Sequence, residues 1–386
     1  MDFNTVERAG THCSKWDGRE EKFGSKDILP LWVADMDLAA PQVVQDAMER
    51  RLKHPVYGYT LYTDAFYQSI IDWYTDAFDW KIEKEWIVPE HGVVVSINLA
   101  IKAFTQKGDG IVIQTPIYPP FSSAIQANER EVLENRLILA KGKTEIDFDD
   151  FEQKIKKAKL FLLCSPHNPT TRAWEREELE KMVEICYRHQ VIIISDEIHS
   201  DLIFNAPHMP MAALEKAKEI TLVLHAPSKT FNIAGLNTSY LIIPNQDLRE
   251  RYRIAHKKAG LDNGNVFGVV ALEAAYSGGK PWLEALKKHL LENSRFVEGF
   301  IRHRIPEISI YRHDATFLMW MDCRGLGLDD EVLSQFFVQE AKLGLNSGSS
   351  FGEAGSGFMR LNIGVGREML EKAMQQLEVA VKRRRG

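Results

Sequence analysis

The chain has 386 residues, of which 45% are apolar and 26% charged, with a formal net charge of −6. That composition excludes a disordered or fibrous protein, and the length exceeds the roughly 250 to 300 residues at which one core stops growing, so a large domain with a smaller companion is expected. Basic and acidic residues are interspersed, without the single-sign stripe that a nucleic-acid backbone or an anionic membrane selects, so neither is expected as a partner.

The first segment, MDFNTVERAGTHCSKWDGREEKFG, is polar and has no apolar h-region, and no apolar run approaches the roughly 18 residues of a membrane span. An unexported, cytoplasmic protein is expected. Cys13, Cys164, Cys186 and Cys323 have neither CxxC nor metal-ligand spacing, so no disulfide framework and no metal site is expected. In PQVVQDAMERRLKH, Pro41 suits a first helical turn, and Val44, Ala47, Met48 and Leu52 fall on one side at helical spacing. Ile111 to Ile113, Leu160 to Cys164, Val191 to Ile194 and Thr221 to Leu224 are short, continuous and rich in Ile, Leu and Val, as buried parallel strands are. EREELEKMVEICYRHQ, between the second and third of them to end, reads as an amphipathic helix. Beyond about residue 275 a long amphipathic stretch, Trp282 to Arg304, gives way to the strand-like ISIYR, TFLMWMD and FMRLNIG. The run Lys382 to Arg385 reads as a solvated helix end. Strands alternating with helices predict an α/β fold: a large domain over 46–275, with a mostly parallel central sheet and helices on both faces, and a smaller α+β domain from 1–45 and 276–386.

Each predicted strand hands over polar groups at its carboxyl end: QTPIYPPF, SPHNPT, SDEIHSD and HAPSKT. In an open parallel sheet the ligand crevice lies outside those ends, so Tyr118, Asn168, Asp196, His199, Ser228 and Lys229 can converge although they are distant in sequence.

Their chemistry is coherent. An amine that forms an imine must be unprotonated, which burial and neighbouring positive charge achieve by lowering its pKa, and Lys229 stands where burial is expected. If its partner is pyridoxal phosphate, the pocket needs a carboxylate for the ring nitrogen, an aromatic plane, a donor for the ring hydroxyl and an anion site. Asp196 can be the carboxylate, with an ordinary helix N-cap as the alternative. Tyr118, in a loop stiffened by Pro116, Pro119 and Pro120, can be the plane. Asn168 can be the donor, although an Asn-Pro turn explains it equally well; His167 beside it reads as structural. Gly92, at the mouth of an apolar helix, offers free N–H groups to a phosphate. Neither GxxxxGK[ST] nor GxGxxG is present, so nucleotide readings lack their minimum signal. Arg360, in a strand-like run, can grip a carboxylate with two parallel bonds or be a surface arginine; the sequence leaves these even.

SPHNPT, SDEIHSDL and SKTFNIAGL, in that order, resemble the fold-type I pyridoxal-phosphate enzymes of the class I/II aminotransferase superfamily. LPLWVADMDLAAPQVV, YGYT, VPEHGVVVSIN and PIYPPF resemble its cystathionine β-lyase and cysteine C-S lyase branch, the likeness running from about Trp32 to Arg367. The resemblance implies Lys229 as the Schiff-base lysine, Asp196 as the ring-nitrogen partner, Asn168 as the ring-hydroxyl donor, Tyr118 as the stacking aromatic and Arg360 as the carboxylate arginine. It also implies a phosphate cup of Gly92, Val93, Val94 and Ser228, and a homodimer in which Tyr59 reaches the neighbouring subunit's phosphate. His199 stands where many superfamily members have Tyr, Asn237 where many have Arg, and Ala226 where many have Ser; these departures bear on the cup and not on the lysine. The implied activity is β-elimination of L-cystathionine or related L-cysteine thioethers, an aminotransferase being the alternative on the same residues. A cofactor-retaining transcription regulator would need a DNA-binding module, and the roughly 40 residues ahead of the large domain are too few and not basic enough to form one.

Overall fold

The short runs of Ile, Leu and Val that end in polar residues do form strands. The computed structural model describes residues 3–140, 142–205, 208–261 and 263–385. In it, β1 (Ile87–Glu90), β2 (Gly110–Thr115), β3 (Glu131–Arg136), β4 (Ala158–Cys164), β5 (Ile192–Asp196), β6 (Thr221–His225) and β7 (Ser239–Ile242) make one seven-stranded sheet. Its order is β3-β2-β4-β5-β6-β7-β1. β7 runs against the common direction of the other six strands. All residues of β2 and β6 are buried, because helices cover both faces.

The two-residue period of a strand decides which helix each side chain meets. Ile111, Ile113, Leu160, Leu162, Leu222 and Leu224 share one core with Ile97 and Ala100 of α3 (Val93–Phe104). Val112, Phe161, Leu163 and Ile193 share the opposite core with Met182 and Cys186 of α6 (Arg176–Arg188). A fully buried side chain of this size contributes about 1.5–3 kcal/mol. α6 begins in a capping box between Glu175 and Glu178, which satisfies two of its free N–H groups.

α1 (Gln42–Leu52) and α2 (Asp64–Phe78) precede the sheet. Two expectations about α1 are corrected. Pro41 is the N-cap, in extended conformation at φ −53° and ψ 140°, and stands ahead of the first turn. Val44 and Ala47 are buried, but Leu52 is 57% exposed, because the last turn of α1 runs into a loop whose Val56, Tyr57, Tyr59 and Leu61 are also exposed.

The strands β8 (Ser309–Ile310), β9 (Leu318–Asp322), β10 (Asn346–Ser347) and β11 (Phe358–Asn362) form an antiparallel sheet in the order β8-β9-β11-β10. It shares a core with α9 (Lys280–Arg304) and α10 (Arg367–Arg385). The terminal basic run of α10 is held by ion pairs of Arg384 with Glu340 and Arg385 with Glu307. Near the other terminus, Leu29–Pro30 pairs in parallel with Leu343–Gly344. Arg8 binds Asp35 at 2.7 Å and Asp37 at 2.6 Å, and the fully buried Lys15 lies 3.0 Å from Asp37. Two cations against two carboxylates leave no unpaired buried charge and pin the segment 32–37 over the carboxyl edge of the large sheet. Among the described residues no helix is long and apolar enough to cross a membrane.

Candidate active site

Register aligns the ends of three neighbouring strands. Cys164 pairs with Asp196, and Asp196 with Leu224, so the turns after β4, β5 and β6 open side by side. They deliver Asn168, Asp196 and Lys229 into one cavity of ≈ 240 Å³, whose wall also includes Gly92, Val93, Val94, Tyr118, His199 and Ser228.

Lys229 Nζ donates to the carbonyl oxygen of Ala34 at 2.6 Å. Burial, reinforced by Arg360, lowers the amine to about 8 against the opposing pull of Asp35 and Asp196. The neutral form that a nucleophilic amine requires is therefore far more populated near physiological pH than in an ordinary lysine. Asp196 is not the cap of a helix: it ends β5, and its Oδ1 accepts from the Ile198 N–H at 3.1 Å across a turn. Burial raises its carboxyl to about 7, partly offset by that N–H and by Lys229. A cation brought against it would draw it back to the carboxylate.

Arg360 is 3% exposed, which removes the surface-arginine alternative. Nη1 donates to Asn168 Oδ1 at 2.9 Å and Nη2 to the Trp32 carbonyl at 3.0 Å, while Nε has no partner. Its guanidinium lies 4.8 Å from the centre of the Phe351 ring. Burial lowers its pKa to about 10. Among the described residues no carboxylate pairs with it, and a buried cation without an anion is a strong candidate for binding one. Because Asn168 Oδ1 is committed to Arg360, the side-chain NH₂ of Asn168 is left to donate elsewhere. The Asn168 carbonyl accepts from the Tyr118 N–H at 3.1 Å, tying the loop after β4 to the start of α4 (Pro119–Ala127). His199 is buried, its Nδ1 has no partner, and burial lowers it to about 3. The ring is therefore neutral.

Gly92 adopts φ +136°, a region L side chains rarely enter, and its N–H donates to Ser239 Oγ at 2.8 Å. That conformation turns the chain from β1 into α3. His167 is structural as expected, bonded to Thr170 Oγ1 at 2.8 Å and the Gln114 carbonyl at 3.2 Å.

The family model for aminotransferase class I and II matches residues 26–377. The chain belongs to this family. It is 40% identical over 379 residues to cystathionine beta-lyase PatB of Bacillus subtilis, covering 97% of this chain and 98% of that protein. It is 35% identical over 388 residues to protein MalY of Escherichia coli, covering 99% of each. Among solved structures, cystalysin from Treponema denticola, which contains a pyridoxal 5'-phosphate cofactor, superposes with a TM-score of 0.96 at 33% identity over 99% of both chains. The fold is the fold-type I architecture expected from the sequence.

Tyr59 stands apart from the other predicted residues of this class I/II site: it is 93% exposed and absent from the cavity wall. Arg360 joins the site through Asn168. Sequence reasoning missed Ala34, His91 and Thr238, which also line the cavity. Ala34 acts through a backbone carbonyl, which no side-chain pattern announces. His91 could have been found from its place beside Gly92.

Proposed function

We propose that the chain is a pyridoxal-phosphate-dependent carbon–sulfur lyase that converts L-cystathionine or related L-cysteine thioethers to a thiol, pyruvate and ammonia. One observation carries the reading. In a chain 40% identical to a cystathionine beta-lyase, a buried amine lowered to about 8 and a carboxyl meet in a single cavity, which a buried guanidinium joins through Asn168.

The residues fit the cofactor on their own geometry. The neutral-prone Lys229 suits its aldehyde, Asp196 suits a pyridine nitrogen, and the free NH₂ of Asn168 suits a ring hydroxyl. Pyridoxal phosphate, when bound, supplies the carbonyl that Lys229 attacks and a ring that accepts the electron pair left at the substrate α-carbon. Asp196, ionised against the ring nitrogen, holds a proton there. Tyr118 would cover a ring face, and His199, neutral and buried, would line the site without competing for that proton. The amides of Val93 and Val94 at the start of α3 and the Ser228 hydroxyl would hold the phosphate; the Gly92 amide, expected to be free, is instead committed to Ser239 Oγ, and Gly92 shapes the turn. Arg360 grips the substrate α-carboxylate, and its bond to Asn168 sets that grip relative to the ring hydroxyl. With the substrate amine joined to the cofactor in its place, Lys229 Nζ would be free to remove the α-proton. As the Cα–Cβ double bond forms, the Cβ–S bond breaks and the thiolate leaves with its electron pair. The released aminoacrylate hydrolyses to pyruvate and ammonia, with no external oxidant or reductant.

The same reading extends to assembly. The exposed Leu52, Val56, Tyr57 and Leu61 fit burial against a second copy, with Tyr59 reaching the partner's cofactor phosphate; a cytoplasmic homodimer follows. The large domain is assigned to 46–275 and the small one to 1–45 with 276–386.

Arg360→Lys tests the substrate assignment. An ammonium cannot reproduce a bidentate guanidinium grip, so kcat/KM should fall about 100-fold for every amino-acid substrate. Changing the group on sulfur should leave that factor unaltered. A loss that depends on the sulfur substituent would place Arg360 at the far end of the substrate instead.

A further inference from the structure

Every backbone carbonyl from Trp32 to Leu38 accepts a hydrogen bond, and the donors come from two sides. On one side, Asn346 and Arg360 donate to Trp32 and Asn362 donates to Val33 and Asp35, with further donors from the N-terminal residues. On the other side is the turn after β6, which supplies two donors among the described residues. Lys229 Nζ reaches the Ala34 carbonyl at 2.6 Å, and Asn232 Nδ2 reaches Met36 at 2.8 Å and Leu38 at 2.7 Å.

The Asn232 amide also takes the Met36 N–H on its Oδ1 at 3.0 Å. One side chain therefore makes three bonds to a segment about 196 positions away in the chain. The orientation of the amide is fixed by its partners: two carbonyls need donors and one N–H needs an acceptor, and the flipped amide would satisfy none of them. Asn232 stands at φ +56°, in the left-handed region that asparagine enters more readily than most residues.

Spacing gives this clamp its consequence. Lys229 and Asn232 share one turn, and the residues they hold, Ala34 and Met36, are next neighbours but one in the segment. While Nζ is joined to the cofactor it is no longer an ammonium that can hold Ala34, and Asn232 remains as the hydrogen-bonded link from the turn. When the freed Nζ takes the α-proton, the C–H electron pair passes to the cofactor and the proton completes an ammonium, for which the Ala34 carbonyl is an acceptor. We propose that Asn232 is a positioning residue: by fixing Met36 and Leu38 it keeps the Ala34 carbonyl where Lys229 Nζ returns on release, and so orients the base toward the α-proton. The proposal rests on the pyridoxal-phosphate reading above. Because Trp32 is held from the other side, the grip of Arg360 does not depend on Asn232.

Two variants test it. Asn232→Gly removes all three bonds and accepts φ +56° without strain; Asn232→Asp is isosteric and keeps the acceptor for the Met36 N–H, but sets a carboxylate against two carbonyls. In apo protein, Asn232→Gly should speed hydrogen exchange over residues 32–38 by about tenfold or more. In loaded protein, both variants should keep the wild-type Kd for pyridoxal phosphate and KM for L-cystathionine, while kcat falls about 10- to 100-fold, the scale of a misplaced reacting group. The residual turnover should show a full primary isotope effect with α-deuterated substrate. Unchanged exchange would mean that the clamp does not hold the segment, and faster exchange with unaltered kcat that the segment's place is immaterial. Kd, KM and kcat worsening together, or a kcat loss without the isotope effect, would reduce Asn232 to a support of the fold. Each of these overturns the proposal, and if Asn232→Gly does not fold, Asn232→Asp is judged on the same kinetic split. Failure of the wild type to bind pyridoxal phosphate would instead refute the cofactor reading itself.

Discussion

Lys229→Ala should fold like the wild type, still take up pyridoxal phosphate non-covalently, and turn over thioethers about 10⁴-fold more slowly or worse, since covalent attachment and proton removal are lost together. The fold should survive because, among the described residues, the lysine's hydrogen bond is to the Ala34 carbonyl. Leaving that acceptor unpaired costs about 1–3 kcal/mol, and the substitution also removes a desolvated amine. Borohydride reduction of the loaded wild type followed by peptide mapping checks the assignment directly. The pyridoxyl label should fall on Lys229; a label on Lys257 or Lys258, both exposed in the last turn of α7 (Gln246–Lys258), would overturn it.

Asp196→Asn should bind the cofactor with near-native affinity and lose roughly 10²- to 10³-fold in kcat, the scale on which a single preorganised electrostatic contact acts. The amide can still accept from the Ile198 N–H, as Oδ1 does now, so the turn after β5 should hold. What the amide lacks is the negative charge that keeps a proton on the ring nitrogen. Near-native turnover in this variant, with cofactor affinity as the control, would reduce Asp196 to a turn residue.

The large sheet was legible because parallel strands covered on both faces must be continuously apolar, and Ile111 to Ile113 and Thr221 to Leu224 are. The site was legible for a related reason: Asn168, Asp196 and Lys229 each follow such a run within a few residues, and parallel topology brings those ends together. Arg360 was undecidable in sequence, because a strand arginine looks the same whether it faces solvent or the Phe351 ring; only tertiary burial separates the two. The Ala34 contact spans 195 residues and uses a backbone atom, so nothing local encodes it. The network of Arg8, Lys15, Asp35 and Asp37 was likewise hidden, since lysine and aspartate in a polar N-terminal stretch read as solvated until the fold closes over them. Leu52 misled in the opposite direction: helical spacing marks a face as apolar, but cannot say whether the chain's own core extends far enough to cover its last turn.

The proposed β-elimination is tested most directly by incubating the purified, cofactor-loaded protein with L-cystathionine in the absence of any keto acid and following pyruvate and free thiol over time. A lyase regenerates its resting state at each cycle, so both products should accumulate together over many turnovers per active site. An aminotransferase uses the same lysine, carboxyl and arginine but leaves the amino group on the cofactor. Arrest after a single equivalent per site, relieved only by adding a keto acid, would contradict the lyase reading.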